Sequence, residues 1–361
     1  MAQDVRWEND IVKVIEGEYI PISPETMKPE SPDYLNENGC MLLQPHQLRI
    51  LNHVFKSPEE KVPLNPVAFD AAGGISRTKS GVLPYRTFVY SCPKKSGKTG
   101  LGAAVAYAWA RVYGGEMYSI ANAKEHAQDR GFRRVKSFLE YIAREKKPFY
   151  ENIMAEEELV GGESKSVKPK ATEMHFKDPY ARFEAIPCAA GSEAGGFQTF
   201  TLWDEIWAYD LESLFSFYSE MQPIDTVEQS MRMIVTYAGY YGQSQLLWQI
   251  YNDVVKPNND TDEPEGNKVE GLEDLPCYVS DDGSTFVYWD HERRMPWQTS
   301  ERGVAYLEAQ RNDPVNKLRP VEFKRLHENR WVASSEAFID AGVVEGLMAE
   351  GSNRKLRNSM L

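Results

Sequence analysis

The chain has 361 residues, 42% of them hydrophobic and 26% charged, which places it among globular proteins large enough for one sizeable core and a smaller unit. It has no run of eighteen apolar residues to span a membrane. Its opening stretch is too acidic and too broken by charge for an export signal. Its four cysteines (Cys40, Cys92, Cys188, Cys277) form no CxxC pair, which argues against a zinc site or a disulfide framework and for reduced thiols. The formal net charge of −13 repels nucleic acid on average, so any DNA contact requires a local basic patch.

Residues 1–40, rich in Pro, Glu and Asn, read as an extended arm. After Pro45, residues 41–56 predict a helix with Leu48, Leu51, Val54 and Phe55 on one face. The glycines and prolines of 57–84 are too irregular for a long element. A strand is predicted at Tyr85–Cys92, then a helix from Gly97 to Tyr113 closed by Gly114-Gly115. A strand at Met117–Ala121 precedes a long helix, 124–147, whose apolar stripe is Ala127, Val135, Phe138, Leu139 and Ile142. Strands are expected again at Met174–Lys177, Arg182–Pro187, Thr199–Trp203 and Arg232–Tyr237. Apolar strands alternating with helices indicate an α/β fold, a mostly parallel sheet covered on both faces. Composition shifts at 251–290, where eleven acidic residues face two lysines, and the remainder reads as mainly helical. The expected organisation is an arm (1–40), a core (41–245), a small helical or lid subdomain (246–340) and a tail (341–361).

The chemistry centres on Cys92-Pro93-Lys94-Lys95-Ser96-Gly97-Lys98-Thr99. From Gly97 onward this is the P-loop pattern G-x-x-x-x-G-K-[ST], with Cys92 in place of the first glycine. Gly97 lets the backbone approach a phosphate, and successive N–H groups form an anion nest. Lys98 would reach the β- and γ-phosphates of ATP, and the Thr99 hydroxyl would ligate Mg²⁺. An apolar strand before the motif and an Ala-rich helix after it supply the expected context. The second half of such a site is an apolar strand ending in acids, which Phe200-Thr201-Leu202-Trp203-Asp204-Glu205 provides. Asp204 would hold Mg²⁺ through water, and Glu205 would orient and deprotonate the attacking water. Gln47, just inside the first helix, offers an amide suited to the adenine edge, although a polar helix cap explains it equally.

In this order the pieces resemble the large terminase subunit of tailed bacteriophages, over about residues 40 to 340. That family tolerates a non-glycine first P-loop position and often places a basic residue two positions later, here Lys94. Gln47 matches its adenine-binding glutamine and Asp204-Glu205 its Walker B acids. Thr236-Tyr237-Ala238-Gly239 resembles its coupling motif, and Arg325–Trp331 with Phe338-Ile339 resembles the segment closing its ATPase region. The resemblance implies a P-loop NTPase fold of the ASCE or RecA-like kind and an ATP-hydrolysing motor that moves duplex DNA into a procapsid in the host cytoplasm. Its partners would be a portal protein and a small terminase subunit, and it would form a homo-oligomeric ring on the portal, or a monomer in isolation.

Two features depart from the family. Only Asp340, Glu345 and Glu350 are acidic after residue 339, too few for the usual two-metal nuclease, which is either excised or encoded elsewhere. An arginine finger is expected shortly before Walker B, yet 183–203 holds no Arg or Lys. Arg182, acting across a ring, and Lys94, acting in cis, are the candidates, with a surface ion pair to Asp178 or Glu184 as the alternative for Arg182. For DNA, Arg130, Arg133, Arg134 and Lys136 with Lys165, Lys168 and Lys170 could grip phosphates, or form an ordinary solvated face. Alternatives for the whole chain are a helicase-type P-loop ATPase and a non-enzymatic viral structural protein with a degenerate P-loop.

Overall fold

The computed structural model describes residues 10–56, 83–121, 127–158, 164–188 and 197–333, apart from 210, 225, 228, 259–262 and 316. The expected acids Asp340, Glu345 and Glu350 and the Phe338-Ile339 pair lie outside these residues.

Among the described residues, 10–40 do not form an extended arm. Helix α1 (Asp10–Gly17) buries Ile11, Val12 and Ile15 completely, and a small hairpin of β1 (Ile22–Ser23) and β2 (Lys28–Pro29) follows. The spacing i, i+1, i+4 sets those three side chains on one stripe, which needs a partner surface. Helix α2 (Pro45–Val54) begins with proline in its first turn and a reciprocal cap between Gln44 and Gln47. Strand β3 (Thr87–Ser91) leads through the P-loop into α3 (Lys98–Val112), then β4 (Gly115–Ala121).

The expected helix 124–147 is interrupted. Its first residues lie outside the described set. A π turn at Gln128–Phe132 contains Arg130 at φ −105°, ψ −110°, and runs into α4 (Arg133–Glu145). Lys146 then breaks the helix and Pro148 opens α5 (Lys147–Ile153), as proline does in a first turn. After a hairpin of β5 (Glu156–Glu158) and β6 (Ser164–Ser166) come β7 (Glu173–Phe176), β8 (Ala181–Pro187) and β9 (Gln198–Asp204). Helix α6 (Glu212–Glu220) and β10 (Met231–Thr236) complete the region expected as core, and α7 (Gln245–Val254) runs from its last residue into the expected subdomain.

The stretch beyond 245 is less helical than its composition suggests. Strands β11 (Asn267–Lys268), β12 (Cys277–Val279) and β13 (Thr285–Trp289) join the main sheet, because Thr-Phe-Val-Tyr-Trp is a β-branched and aromatic run suited to a buried strand. Helices α8 (Pro296–Thr299), α9 (Glu301–Asn312) and α10 (Pro320–His327) follow. Residue 245 therefore marks no boundary in the sheet.

The main sheet has nine strands in the order β11-β12-β13-β3-β10-β9-β4-β8-β7. From β13 to β8 all pairings are parallel, and the remaining edge pairings are antiparallel. Alternation along the strands makes both faces apolar: Phe88, Tyr90, Met233 and Val235 pack into one core, Val89, Ile234, Trp203 and Val287 into the other. The alanines of α3 bring it close to the sheet, and a Cβ on Gly102 would stand 2.9 Å from a Leu202 methyl. Strand β10 lies between β3 and β9, pairing Thr236 with Ser91 on one side and Val235 with Asp204 on the other. The P-loop and the acidic pair therefore leave the sheet one strand apart, at the same edge.

Asn329 fastens that edge. It is fully buried, with φ at +51°, a backbone region that asparagine tolerates better than most residues. Its Oδ1 accepts from the Ala238 N–H at 2.7 Å, and its Nδ2 donates to Ser91 Oγ at 3.0 Å and to the Asp290 carbonyl at 2.9 Å. It thus joins the ends of β3, β10 and β13. Asn329→Ala leaves the buried Ala238 N–H without its acceptor and should lower unfolding free energy by about 1–3 kcal/mol. Urea denaturation measures this, and an unchanged midpoint and slope would show that Asn329 carries no such load.

Candidate functional site

The P-loop turn is built by two residues in the left-handed region, Lys95 (φ +70°) and Gly97 (φ +72°). Cys92 has no positive φ, so this backbone does not require glycine there. Burial raises the Cys92 thiol to about 12, so it stays protonated and packs as a small apolar group. Lys98 opens α3, and the unpaired N–H groups of that first turn face the loop. The C-terminal helices hold the turn from outside. Trp297 Nε1 donates to the Lys95 carbonyl (2.8 Å), Gln298 Nε2 to the Lys94 carbonyl (3.2 Å) and Ser96 Oγ (2.9 Å), and the Lys94 N–H to the Leu326 carbonyl (2.6 Å).

A cavity of about 650 Å³ runs along the loop, within the range of ordinary ligand sites. Lys94, Lys95, Gly97, Lys98 and Thr99 line one side; Gln47, Tyr34 and Trp297 line the other. Tyr34 and Trp297 stack with ring centroids 3.9 Å apart. Gln47 Oε1 accepts from the Gln44 N–H at 3.0 Å, while its Nε2 is buried with no hydrogen-bond partner among the described residues. The cap read from the sequence is present and uses the Gln47 oxygen, not the nitrogen. Burial, then the neighbouring Lys95 and Lys98, depresses the Lys94 ammonium below lysine's usual value.

Across β10, Asp204 ends β9 in a buried position and Glu205 follows in the left-handed region at φ +59°. Glu205 is tied down by its own N–H to the Val235 carbonyl (2.9 Å) and by Trp207 Nε1, which donates to its Oε2 at 2.6 Å. Its other oxygen lies 3.6 Å from Lys98 Nζ. Thr99 Oγ1 donates to Asp204 Oδ2 at 3.4 Å, and Asp204 Oδ1 is buried without a hydrogen bond. A hydroxyl beside a carboxylate whose other oxygen meets only the Arg130 guanidinium, at 3.5 Å, is a donor set that suits Mg²⁺, held partly through water.

No motif in the sequence ties Arg130 to this site, yet its guanidinium lies 3.5 Å from Asp204 Oδ1 and 4.0 Å from Glu205 Oε1. The irregular turn that carries it left no periodic signal. Arg325 was visible only as part of a closing segment. It is buried, stacks over Trp207 (4.4 Å), Tyr240 (4.5 Å) and Tyr237 (5.1 Å), and pairs with Glu322 at 3.0 Å. Tyr237 in turn carries Lys98 Nζ over its ring at 4.4 Å. The four residues Thr236, Tyr237, Ala238 and Gly239 therefore run between the P-loop lysine and the C-terminal helices. A Cβ on Gly239 would stand 2.2 Å from Ser244 Oγ, which donates to the Trp207 carbonyl at 2.6 Å, so this position admits no side chain.

The structure does not bring Arg182 to this site. Arg182 pairs with Glu116, which pairs with Gln198 at the start of β9. Gln198 is six residues before Asp204, about 20 Å along a strand. Arg182 is held there by Glu184 (2.6 Å), Glu173 (3.3 Å) and Glu116 (3.5 Å) of its own chain. The basic face read as a DNA grip is also largely engaged. Arg134 pairs with Glu30 (2.7 Å), Arg133 with Asp129 (3.6 Å), Lys136 with Glu140 (3.9 Å), and Lys170 with Glu173. Lys165 and Lys168 line a second cavity that also holds Glu140, Glu151 and Glu156.

A scan of protein-family models and a search of curated proteins found no match. Among solved structures the chain is similar to the large terminase of bacteriophage HK97, at 14% identity and a TM-score of 0.48, over 93% of this chain and 57% of that one. It is similar to the ATPase domain of the large terminase of Thermus phage P74-26, at 14% identity and 0.41, over 75% of this chain and all of that domain. A third likeness is to the Phi-28 gp11 DNA packaging motor, at 13% identity and 0.36, over 63% and 62%. All three are distant, and the chain spans little more than half the length of the HK97 protein. No helix among the described residues is long and apolar enough to cross a membrane.

Burial, then the charge of Glu205, pushes the Asp204 carboxyl above the ordinary carboxylate range, against the pull of Arg130 and Lys98. A carboxyl raised on folding contributes its full stability only below its unfolded pKa, and that contribution is lost as pH rises through the folded value. Asp204→Asn, neutral throughout, should therefore have the higher Tm at about pH 8 without nucleotide or Mg²⁺, with the difference shrinking towards about pH 5. Thermal unfolding across that range checks this; equal Tm values at pH 8 would mean that the ionised carboxylate is not penalised.

Proposed function

We propose that this chain is the ATP-hydrolysing motor of a viral DNA-packaging terminase. The observation that carries the reading is the meeting of Lys98, Thr99, Asp204 and Glu205 at adjacent ends of parallel strands, with Lys98 Nζ 3.6 Å from Glu205 Oε1. Lys98 and the N–H groups of α3 hold the phosphates of ATP, and Gln47 Nε2 addresses the base. Bound Mg²⁺ would neutralise charge between the β- and γ-phosphates, held by Thr99 and, through water, Asp204. Glu205, oriented by Trp207, positions the attacking water and takes its proton. Lys94 adds charge beside the phosphates from the same chain.

The terminase assignment draws support from the order in which Gln47, Lys94, Asp204-Glu205, Thr236–Gly239 and Arg325–Trp331 occur. The contacts of Tyr237 with Lys98 and Arg325 give a physical route from phosphate loss to the C-terminal helices. In this reading the substrate track is duplex DNA, and the partners are a portal protein, a small terminase subunit and further copies of the chain in a ring, in the host cytoplasm.

Two variants test the site. Lys98→Ala should abolish turnover and weaken ATP binding, because the phosphates lose their cation. Glu205→Gln should keep ATP bound with Mg²⁺ while slowing hydrolysis by about 10²–10⁴-fold, the usual worth of a general base. Turnover by phosphate release and binding by calorimetry separate the two, and near-normal turnover by Glu205→Gln would remove Glu205 from its role. For the motor, duplex DNA should accelerate turnover without strand separation; a strand-displacement assay that detects unwinding would favour a helicase.

A further inference from the structure

Resting on the reading that this site hydrolyses a nucleoside triphosphate, we propose that Arg130 is a catalytic residue whose guanidinium, supplied by the same chain, contacts the transferring γ-phosphoryl group. Three observations converge on it. The first is position. Arg130 Nη1 and Lys98 Nζ lie 4.0 and 3.6 Å from the same oxygen, Glu205 Oε1, so two cations border the space where the attacking water must sit.

The second is how loosely the guanidinium is held. Three arginines elsewhere meet their carboxylates more closely: Arg182 to Glu184 at 2.6 Å, Arg134 to Glu30 at 2.7 Å, Arg49 to Asp274 at 2.7 Å. Arg130 meets its two carboxylates at 3.5 and 4.0 Å, beyond good hydrogen bonds, and its side chain is 35% exposed. It is attracted to the site without being locked in it, so it can turn to a more negative group.

The third is the backbone beneath it. The π turn is pressed against the strand that carries the acids, since a Cβ on Gly131 would stand 2.5 Å from a Leu202 methyl and Phe132 is buried. The fixed turn holds the Arg130 Cα beside β9, and the flexible side chain does the reaching. Such π turns often occur at functional sites.

In the reaction the water oxygen bonds to the γ-phosphorus and its proton passes to Glu205. The bond from phosphorus to the bridging oxygen breaks, and its electron pair leaves on ADP. No proton or electron passes through Arg130, which stays charged and offsets the negative charge spread over the equatorial oxygens.

The test compares the intact chain with Arg130→Ala and Arg130→Lys for affinity towards MgADP alone and MgADP with aluminium fluoride, a mimic of the transferring group. Arg130→Ala should bind MgADP within about threefold of the parent, lose at least about thirtyfold in affinity for the aluminium fluoride complex, and lose turnover by about 10³-fold. Arg130→Lys, keeping the charge without the fork, should fall between. Arg130→Gln serves if the alanine variant does not fold. Unchanged affinity for the aluminium fluoride complex would overturn the proposal, whatever happens to turnover, since a mere counter-ion of the acids predicts that result. Recovery of turnover on mixing Arg130→Ala with Glu205→Gln subunits would overturn the assignment to the same chain. Failure of the nucleotide-site reading itself looks different: Lys98→Ala would then bind MgADP as the parent does.

Discussion

Two carboxylates at the end of one apolar strand, both mostly removed from water, are the constraint around which the site is built. A buried carboxylate is costly unless a positive partner meets it. Lys98 meets Glu205 from the P-loop, Arg130 meets Asp204 from the π turn, and Thr99 and Trp207 supply the neutral donors. At 3.6 Å and an effective dielectric near 20, the attraction between Lys98 and Glu205 is roughly 5 kcal/mol, while taking each ion out of water costs several kcal/mol. The pair is therefore no large net stabiliser of the fold. What the arrangement provides is a pre-positioned set of opposite charges; in the proposed reading a polyphosphate and its metal would exchange into it with little reorganisation.

That exchange reaches beyond the site because the same residues carry other loads. Tyr237 sits under Lys98 and beside Arg325; Trp207 orients Glu205 and stacks on Arg325. Asn329, four residues after Arg325, joins the ends of β3, β10 and β13. Helix α10 therefore reaches, through Tyr237 and Trp207, the two groups whose charge environment would change most in the proposed reaction. Trp297 and Gln298 grip the P-loop carbonyls from the other C-terminal helices. A shift of a few tenths of an ångström at Lys98 or Glu205 would be felt by packed aromatic rings, which transmit displacement because they have no free volume to absorb it.

Much of this was legible in the sequence, and what was not has physical reasons. The central strands and α3 could be read because their apolar runs are unbroken, and the nearness of the loop at 92–99 to Asp204 and Glu205 because each follows one of the parallel strands beside β10. Arg130 was hidden because helical periodicity was extrapolated through Gly131, where close packing on Leu202 replaces the regular turn. Helix α1 was missed because a short apolar triplet inside a Pro- and Glu-rich segment has no periodic repeat to reveal it. Strand β13 was hidden by the acidic loop before it, which made its surroundings look solvent-facing. Arg182 drew attention for lying nearest to the acids in sequence, yet a strand read backwards from Asp204 carries it to the far end of the sheet. Trp297 and Gln298 left no sequence signal, since their role depends wholly on where the chain returns.

In the proposed reading one nucleoside triphosphate lies along the P-loop with its terminal phosphate between Lys98 and Glu205. The most direct measurement is an experimental structure of the Glu205→Gln chain with ATP and Mg²⁺. The base should lie beside Gln47 and the Tyr34–Trp297 stack, the β- and γ-phosphates at Lys98 and the first turn of α3, and the metal next to Thr99. A nucleotide seated elsewhere on the molecule, or an empty cavity at saturating ATP, would contradict it.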